Sequence, residues 1–374
     1  MITGADRHGL IVRLRLARAE NVGPRTYLAL IRRYGSPEAA LEALPELTRR
    51  GGRSRAIKAP DLEGIAAEVD ALTKLGIGLI ATDDPAYPDL LNQIYDPPPV
   101  LTARGNTALL SRPMIGMVGA RNASAAGRRF AESMARELGE AGYGVVSGLA
   151  RGIDTAAHHG SLATGTIAIL AGGIDNIYPP ENASLYQSIA EQGLLLSDQP
   201  LGLTPRSGHF PRRNRIVAGL ALAVVVVEAT ERSGALITAR LAAENGRDVL
   251  AVPGSPGDPR AKGPNRLIKD GAALVESAED VLSLLREPGR SIPIQPRDPE
   301  PEGFDFESIS DDPPASQDAQ ERVLSALGAT PVEVDELVRR CQVTPSEAQI
   351  LLLELELAGR IERHPGNRIS LISR

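Results

Sequence analysis

Three arginines lie within four residues, Arg212, Arg213 and Arg215, directly after Phe210 and Pro211 in HFPRRNRIVAGLA. Proline suits the first position of a helix, so the pattern predicts a helix whose first turn carries three cations. A helix dipole disfavours exposed cations there by about 0.3–1 kcal/mol each, a conflict that an anionic ligand would remove. The alternative is a basic turn in contact with solvent. Phe210 would stack on an unpaired base or pack beneath the loop.

Loops of small residues supply a second possible contact to anions. Gly119 to Ser124 opens one predicted helix, and Ser233-Gly234 opens another. Helix N-termini of this kind direct backbone N–H groups at phosphates. Arg121, Arg151 and Lys262 lie beside such loops, which favours a phosphate-bearing ligand over turn chemistry alone. Neither G-x-G-x-x-G nor a Walker A loop follows the first strand, so neither NAD nor ATP is indicated.

Residues arranged for catalysis are not found. His158 and His159 lie on a predicted helix of small residues and are interpreted as structural. Asp154 and Glu228 stand at strand ends or helix starts, where carboxylates bind amides or pair with arginine. The sequence contains no Ser-His-Asp grouping, carboxylate pair or cluster of metal ligands. We therefore expect no catalytic residue, no metal and no cofactor.

The elements that position these residues alternate between strands and helices from Met114 onward. Several strands are apolar on both faces, as in a covered parallel sheet. The alternation predicts a doubly wound α/β domain, with ligands at the carboxyl ends of the strands. The predicted strands are MIGMVGA, YGVVSG, TIAILAGG, LLLSD, LAVVVVEA and DVLAVPG.

The first residues of the chain have helical periodicity. Two short helices flank ENVGP, and Ser36 with Pro37 predicts the start of a third. A helix-hairpin-helix that grips phosphate is one interpretation, and a small bundle that only packs is the other. The second is favoured because the hairpin holds a single glycine.

The last residues predict a winged helix. Thr330 and Thr344 each begin a capping-box pattern with a following proline, and a hairpin is predicted around residues 365–367. The presumed recognition helix, PSEAQILLLELELAG, has three glutamates and no lysine or arginine. A protein-contact or packing role is therefore favoured over duplex reading.

Between these parts lies a segment with seven prolines, 3 basic and 9 acidic residues, which accounts for the chain's net charge of −6. It is interpreted as a disordered linker. We predict an N-terminal helical domain at 1–80, an α/β domain at 81–285, the linker at 286–318 and a winged helix at 319–374.

Composition adds limits on the environment. The chain of 374 residues has one cysteine, Cys341, which excludes a disulfide framework and a cysteine-based zinc site. It has no apolar run of transmembrane length, and arginines interrupt any signal-like segment near its start. We expect a cytoplasmic protein.

The motifs together resemble a known family. VGARNASAAG, SGLARGIDTAAHHGSL, AILAGGIDNIYPPEN, HFPRRNRIVAGLA, VVVVEATERSGALITARLAAENGRDVLAVPG and GPNRLIKDGAAL occur in the order of the DNA processing protein A (DprA/Smf) family, over residues 82–275. The resemblance implies an extended Rossmann-like fold, doubly wound with a mostly parallel sheet, between the helical and winged-helix domains. It also implies single-stranded DNA binding, protection of incoming strands, loading of the RecA recombinase in natural transformation, and a homodimer formed through the Rossmann domain.

The resemblance places Arg121 in the family's G-x-R loop and residues 210–215 in its F-P-x-R-N-R motif. The predicted DNA-binding residues are Gly119, Arg121, Ser124, Ser147, Gly148, Arg151, Phe210, Arg212, Arg213, Asn214, Arg215, Ser233, Gly234, Lys262 and Asn265. Two other hypotheses stay open: a nucleotide-processing enzyme of a related fold, with Glu228 as its acid, and a transcription regulator that uses the winged helix.

Overall fold

The computed structural model describes residues 4–53, 55, 57–286, 317–364 and 366–372. Two compact units compose the chain: a terminal unit, Met1–Val69 with Gln295–Arg374, and a sheet unit, Asp70–Ile294. The predicted linker, 286–318, lies outside the described residues, apart from residues 286, 317 and 318. Among the described residues, no helix is both long and apolar enough to span a bilayer.

The sheet unit contains a nine-stranded sheet in the order β1-β2-β6-β5-β4-β3-β7-β8-β9. The seven strands from β3 to β9 pair in parallel, whereas β2 joins β1 and β6 antiparallel. The predicted α/β fold is therefore confirmed. The strands are β1 (Gly78–Ala81), β2 (Val100–Gly105), β3 (Met114–Val118), β4 (Gly144–Ser147), β5 (Thr166–Ile169), β6 (Leu194–Ser197), β7 (Ala221–Val226), β8 (Asp248–Ala251) and β9 (Ala273–Leu274).

Helices cover both faces of this sheet because its strands are apolar on both sides. In β3, Met114 and Val118 enter one core, while Ile115 and Met117 enter the other. The first core is closed by α5, α9 and α10, and the second by α6, α7 and α12. The helices are α4 (Leu62–Lys74), α5 (Asp89–Asn92), α6 (Ala125–Glu140), α7 (Ile153–Ser161), α8 (Ala183–Gln192), α9 (His209–Leu220), α10 (Gly234–Glu244), α11 (Lys262–Lys269) and α12 (Ala278–Arg286).

The terminal unit combines both ends of the chain. Its elements are α1 (Gly4–Ala17), α2 (Pro24–Tyr34), α3 (Pro37–Arg50), α13 (Gln317–Ala326), α14 (Val334–Cys341) and α15 (Pro345–Leu357), with strands β10 (Val332–Glu333), β11 (Ile361–His364) and β12 (Arg368–Leu371). The strands form a small sheet in the order β10-β12-β11, so the predicted winged helix is confirmed. The predicted domain boundary at residue 80 falls inside β1, which belongs to the large sheet.

The predicted helix starts have different outcomes. Ser36 accepts a hydrogen bond from the Ala39 amide at 3.2 Å. Thr344 and Glu347 form the predicted capping box, with bonds of 3.1 and 2.8 Å. The box predicted at Thr330 is wrong, because Val332 and Glu333 pair with β12 and α14 begins only at Val334. Strand pairing thus outweighs a local cap signal.

Helix α15 lies at the centre of the terminal unit. Its Leu353 and Leu357 share a buried cluster with Leu16, Leu30 and Leu47 from the N-terminal helices. The opposite side of α15 packs in the core of the winged helix. The N-terminal helices and the winged helix therefore share one core through α15, and a protein-contact or packing role for this helix, rather than duplex reading, stays a prediction.

Candidate nucleic-acid interface

The candidate site lies at the carboxyl ends of β3, β4, β5 and β7. Two neighbouring cavities, of about 490 and 640 Å³, open there. Both are bordered by Arg121, Asn122, Gly148, Ala150 and Phe210. A doubly wound sheet brings such loops together although about ninety residues separate Arg121 from Phe210. We predicted from this topology that Arg121 would meet Arg212, Arg213 and Arg215 at one face; Arg213 does line the larger cavity with Arg121, whereas Arg212 and Arg215 line neither cavity.

A stack of one cation and two aromatic rings stands between the cavities. The guanidinium carbon of Arg121 lies 4.9 Å from the Phe210 ring centroid. The rings of Phe210 and Tyr178 have centroids 5.6 Å apart and are tilted by 52°. Tyr178 is 41% exposed, so part of this stack faces solvent. Such a surface suits unpaired bases, which stack on aromatic and guanidinium planes.

Tyr178 was missed among the predicted site residues. It lies in AGGIDNIYPPEN, a loop that sequence reasoning placed at the correct edge of the sheet. Aromatic residues make up only 3% of the chain, so a tyrosine in a strand-end loop is an available signal. What the sequence lacks is any indication that Tyr178 and Phe210 meet.

Arg213 does not face the cavities as a free cation. It is 4% exposed and donates hydrogen bonds to the carbonyl oxygens of Gly148 and Ile169, at the ends of β4 and β5. Burial lowers the pKa of Arg213 to about 10, so the side chain stays charged at neutral pH. Its role in the structure is to fasten α9 to the edge of the sheet.

A buried carboxylate, Asp154, accompanies Arg213. Burial raises the pKa of Asp154, while the nearby Arg213 guanidinium and bonds from loop amides act to lower it. Asp154 accepts hydrogen bonds from the amides of Gly148 and Ala150 at 3.1 and 3.3 Å. These amides, which could otherwise bind a phosphate, are thus used within the protein.

Arg215 is also internal. It is 8% exposed, donates to the Asp96 carbonyl and pairs with Asp198 at 2.8 Å. The expectation that all three arginines of the motif contact one ligand is therefore corrected. The helix begins at His209, which makes Pro211 its third residue, and of the three arginines only Arg212 is exposed. Two of the cations satisfy buried carbonyls and carboxylates of the protein.

The N-terminus of α6 already has an anion. Glu228 accepts hydrogen bonds from the Ser124 amide at 2.9 Å and from the Ser124 hydroxyl at 2.6 Å. The Ser124 hydroxyl also caps the helix by accepting from the Gly127 amide at 2.8 Å. A Cβ on Gly127 would lie 2.6 Å from the Glu228 carboxyl carbon. Glu228 therefore occupies the place that we predicted for a phosphate.

Three other predicted residues act inside the protein. The Ser147 hydroxyl is buried and donates to the Met117 carbonyl at 2.6 Å. Asn265 is bonded to both the amide and the carbonyl of Gly254, at 3.1 and 2.8 Å. A Cβ on Gly119 would lie 2.5 Å from the Ile153 side chain, so Gly119 serves close packing.

The remaining predicted residues border the site or are exposed. Asn214, Ser233 and Gly234 line the larger cavity, where the Asn214 amide donates to the Gly234 carbonyl at 3.3 Å. Arg151 lines the smaller cavity, is 58% exposed and pairs with Glu181 at 3.0 Å. Lys262 is exposed at the first position of α11. Arg260, which was not predicted, also lines the larger cavity and pairs with Asp258 at 2.8 Å.

The buried histidine near the site has a structural environment. His158 contacts the Thr166 hydroxyl at 2.7 Å and accepts from the Leu149 amide at 3.3 Å. Burial, with smaller effects from Arg213 and His159, lowers its pKa to about 3. The imidazole is therefore neutral at physiological pH, and its predicted structural role is confirmed. Over the described part of the chain, His, Cys, Asp and Glu form no cluster of three or more that could hold a metal ion.

Comparison with known proteins settles the family. A family model described as DNA recombination-mediator protein A matches residues 78–286, more than half of the chain. The chain belongs to the DprA/Smf family. Further models match residues 309–367 as a DprA winged helix domain and residues 8–71 as a DprA-like N-terminal HHH domain. The last match favours the helix-hairpin-helix interpretation over the plain bundle.

Relatives are similar over much of their length. Protein Smf of Escherichia coli K12 is 38% identical over 299 residues, which cover 78% of this chain and 77% of that protein. DNA processing protein DprA of Bacillus subtilis is 46% identical over 220 residues, which cover 58% of this chain and 74% of that protein.

Solved structures of the family share the fold. The X-ray structure of DprA from Streptococcus pneumoniae matches with a TM-score of 0.62 and 36% identity, over 75% of this chain and 98% of that one. DprA from Helicobacter pylori, described with a unique single-stranded DNA binding mode, matches with a TM-score of 0.52 and 29% identity, over 56% of this chain and 95% of that one.

Proposed function

We propose that this chain binds single-stranded DNA at the two cavities around Arg121 and Phe210, without chemical turnover. The observation that carries the proposal is the stack of Arg121, Phe210 and Tyr178 at the sheet edge. Bases of a duplex are already stacked on each other, whereas those of a single strand are free to meet such a surface. The stack therefore favours single strands.

Four cations would contact phosphates: Arg121 and Arg151 line the cavities, whereas Arg212 on α9 and Lys262 on α11 line neither. Arg121, Arg151 and Arg212 are exposed, and Lys262 is exposed on α11. Arginine pairs well with phosphate oxygens, and each contact releases counterions from the DNA. The buried members of the predicted set, Arg213 and Arg215 above all, would act indirectly by holding the loops and α9 in place.

The two carboxylates near the site are already hydrogen-bonded within the protein, which supports binding without turnover. Glu228, the best candidate for a general acid, is hydrogen-bonded to the Ser124 amide and hydroxyl. Asp154 is buried against the Gly148 and Ala150 amides. Glu228 lines neither cavity, and Asp154, which borders the larger one, already accepts the two amide hydrogen bonds.

The biological role belongs to the same proposal. Family membership supports transfer of the bound strand to the recombinase RecA, protection of incoming DNA during natural transformation, a homodimer through the Rossmann domain, and a cytoplasmic location. The single-stranded DNA binding mode described for the Helicobacter pylori protein supports the first step, strand binding.

A titration of the full chain with fluorescent poly-dT and with duplex DNA of the same length tests the binding. We expect tighter binding of poly-dT and no loss of nucleotides from either DNA during incubation, with or without divalent cations. Tighter binding of the duplex would overturn the proposal. A separate assay of RecA assembly on single strands tests the transfer step, and no acceleration there would remove that step alone.

A further inference from the structure

The terminal unit is closed by the contact between α15 and the N-terminal helices. A Cβ on Gly51 would lie 2.1 Å from the carbonyl oxygen of Glu354, so the end of α3 and the backbone of α15 are in close contact. The Asn21 side-chain amide donates to the Leu357 carbonyl at 2.9 Å. This bond, the close approach of Gly51 and the shared leucine core show that α15 is covered by the chain's own N-terminal helices.

A carboxyl group lies in this contact. Glu354 is 3% exposed, and its Oε1 has no hydrogen-bond partner among the residues that the structure describes. The charged groups that act on it are Arg50 and Glu46 on α3 and Arg33 on α2. Burial raises the pKa of Glu354 to about 7, and the two arginines only partly oppose this effect.

We propose that Glu354 controls the closure of the terminal unit through its protonation. The neutral side chain allows α15 to seat against α2 and α3. The ionised side chain, buried with an unbonded oxygen, favours separation of the winged helix from the N-terminal helices. Separation would expose Leu353 and Leu357, and with them the face of α15 that the N-terminal helices cover.

The direction of the pH dependence follows from the proton affinity of the two states. The closed unit holds the proton more tightly than an open unit, in which Glu354 would titrate near the ordinary value of 4.5. Closure is therefore strongest below pH 4.5 and weakens as the pH rises. Above a pH of about 7 it is weakest and no longer changes. The closing equilibrium should fall about 300-fold in all, since the pKa of Glu354 differs by about 2.5 between the two states and each unit corresponds to a factor of ten.

Amide hydrogen exchange of the full chain between pH 5.5 and 8.5, corrected for intrinsic rates, measures this opening at residues 353–357. We expect wild-type protection to fall about 30-fold between pH 5.5 and 8.5, and Glu354→Gln to keep nearly constant protection. The matched control is Glu362→Gln, which replaces an exposed glutamate on β11 and should behave as the wild type. Constant wild-type protection, or the same fall in Glu354→Gln, would overturn the proposal.

A second variant separates protonation from mere packing. Arg50→Met removes a cation that favours the ionised form of Glu354, so the midpoint of opening should move to higher pH. A purely structural role would lower protection at every pH without moving the midpoint. If Glu354→Gln does not fold, Glu354→Leu replaces it in the exchange experiment. An NMR titration of the ¹³C-labelled Glu354 carboxyl in the wild type then measures the pKa directly. A carboxyl that titrates near 4.5 in the closed unit contradicts the proposal.

Discussion

Replacement of two exposed arginines, Arg121→Ala with Arg212→Ala, tests the DNA site most directly. If each arginine contacts one phosphate of a single strand, the slope of log K against log salt should flatten by about 0.7 per contact, or about 1.4 for the pair. Between 50 and 200 mM salt, the wild type should then lose about 7-fold more affinity than the double variant. Fluorescence anisotropy with labelled poly-dT measures both affinity and slope.

Phe210→Ala separates stacking from charge at the same site. Loss of one base stack should weaken binding by about 1–3 kcal/mol, or about 5- to 160-fold in Kd. Stacking releases no ions, so the slope should stay nearly constant. Because Arg121 rests on this ring, a slope that falls by about 0.7 would show that Phe210 positions the arginine instead.

The control for both experiments is Arg240→Ala on α10. Arg240 is 68% exposed and pairs with Glu244 at 3.5 Å. Its replacement by alanine therefore removes one exposed positive charge from a helix surface, as each arginine replacement at the site does. We expect almost unchanged affinity and slope for this variant. A folded Arg121, Arg212 double variant that binds like Arg240→Ala would refute the assignment of the two arginines to phosphate contacts.

Further variants test the supporting structure. Arg213→Ala should lower the free energy of unfolding by about 3–5 kcal/mol, because the buried Gly148 and Ile169 carbonyls lose their donor and Asp154 loses its neighbouring cation. Urea unfolding followed by circular dichroism measures this, and a loss below 0.5 kcal/mol, about that expected for exposed Arg212→Ala, would contradict it. Thr344→Ala should lower the free energy of unfolding by about 1 kcal/mol because it removes the capping box of α15, whereas Thr330→Ala should change it little because α14 begins only at Val334. Equal losses for the two variants in thermal melts would argue against the capping box. A fragment that ends at Arg286 should keep the sheet unit but lose amide protection in α2 and α3, and full protection there would show that α15 is dispensable to them.

Periodicity and loop position were enough to predict the sheet and its ligand edge. Six predicted strands became β3 to β8, because runs that are apolar on both faces have few other places in a soluble fold. β1, β2 and β9 were missed: β1 and β2 precede the alternation of strands and helices that predicted the other strands, and β9 has only two residues. Topology alone predicted that the loops after β3 and before α9 meet at this edge, but it could not show which of the arginines at 212, 213 and 215 would face the cavities.

Side-chain partners distant in sequence could not be predicted. Arg212 and Arg213 are adjacent and identical in type, yet one is exposed and the other is 4% exposed between β4, β5 and Asp154. Whether each side chain is buried depends on which side of α9 faces the sheet. The first turn of α9 is polar, so the sequence has no apolar stripe there that would identify the buried side. Glu228 likewise caps α6 from a position 104 residues away, a contact that no local motif contains.

The shared core of the terminal unit also sets an order of events during synthesis. The carbonyl of Arg50 accepts a hydrogen bond from the side-chain amide of Gln320, which lies 270 residues further along the chain. This bond cannot form until that residue has been synthesised. At roughly 5–20 residues per second, a ribosome needs roughly 15–55 s to make that stretch. The first helices to be made are thus among the last to be completed, and Leu30 and Leu47 stay uncovered by α15 throughout that interval. Nascent chains of this protein should therefore present their earliest helices, rather than the sheet, to chaperones.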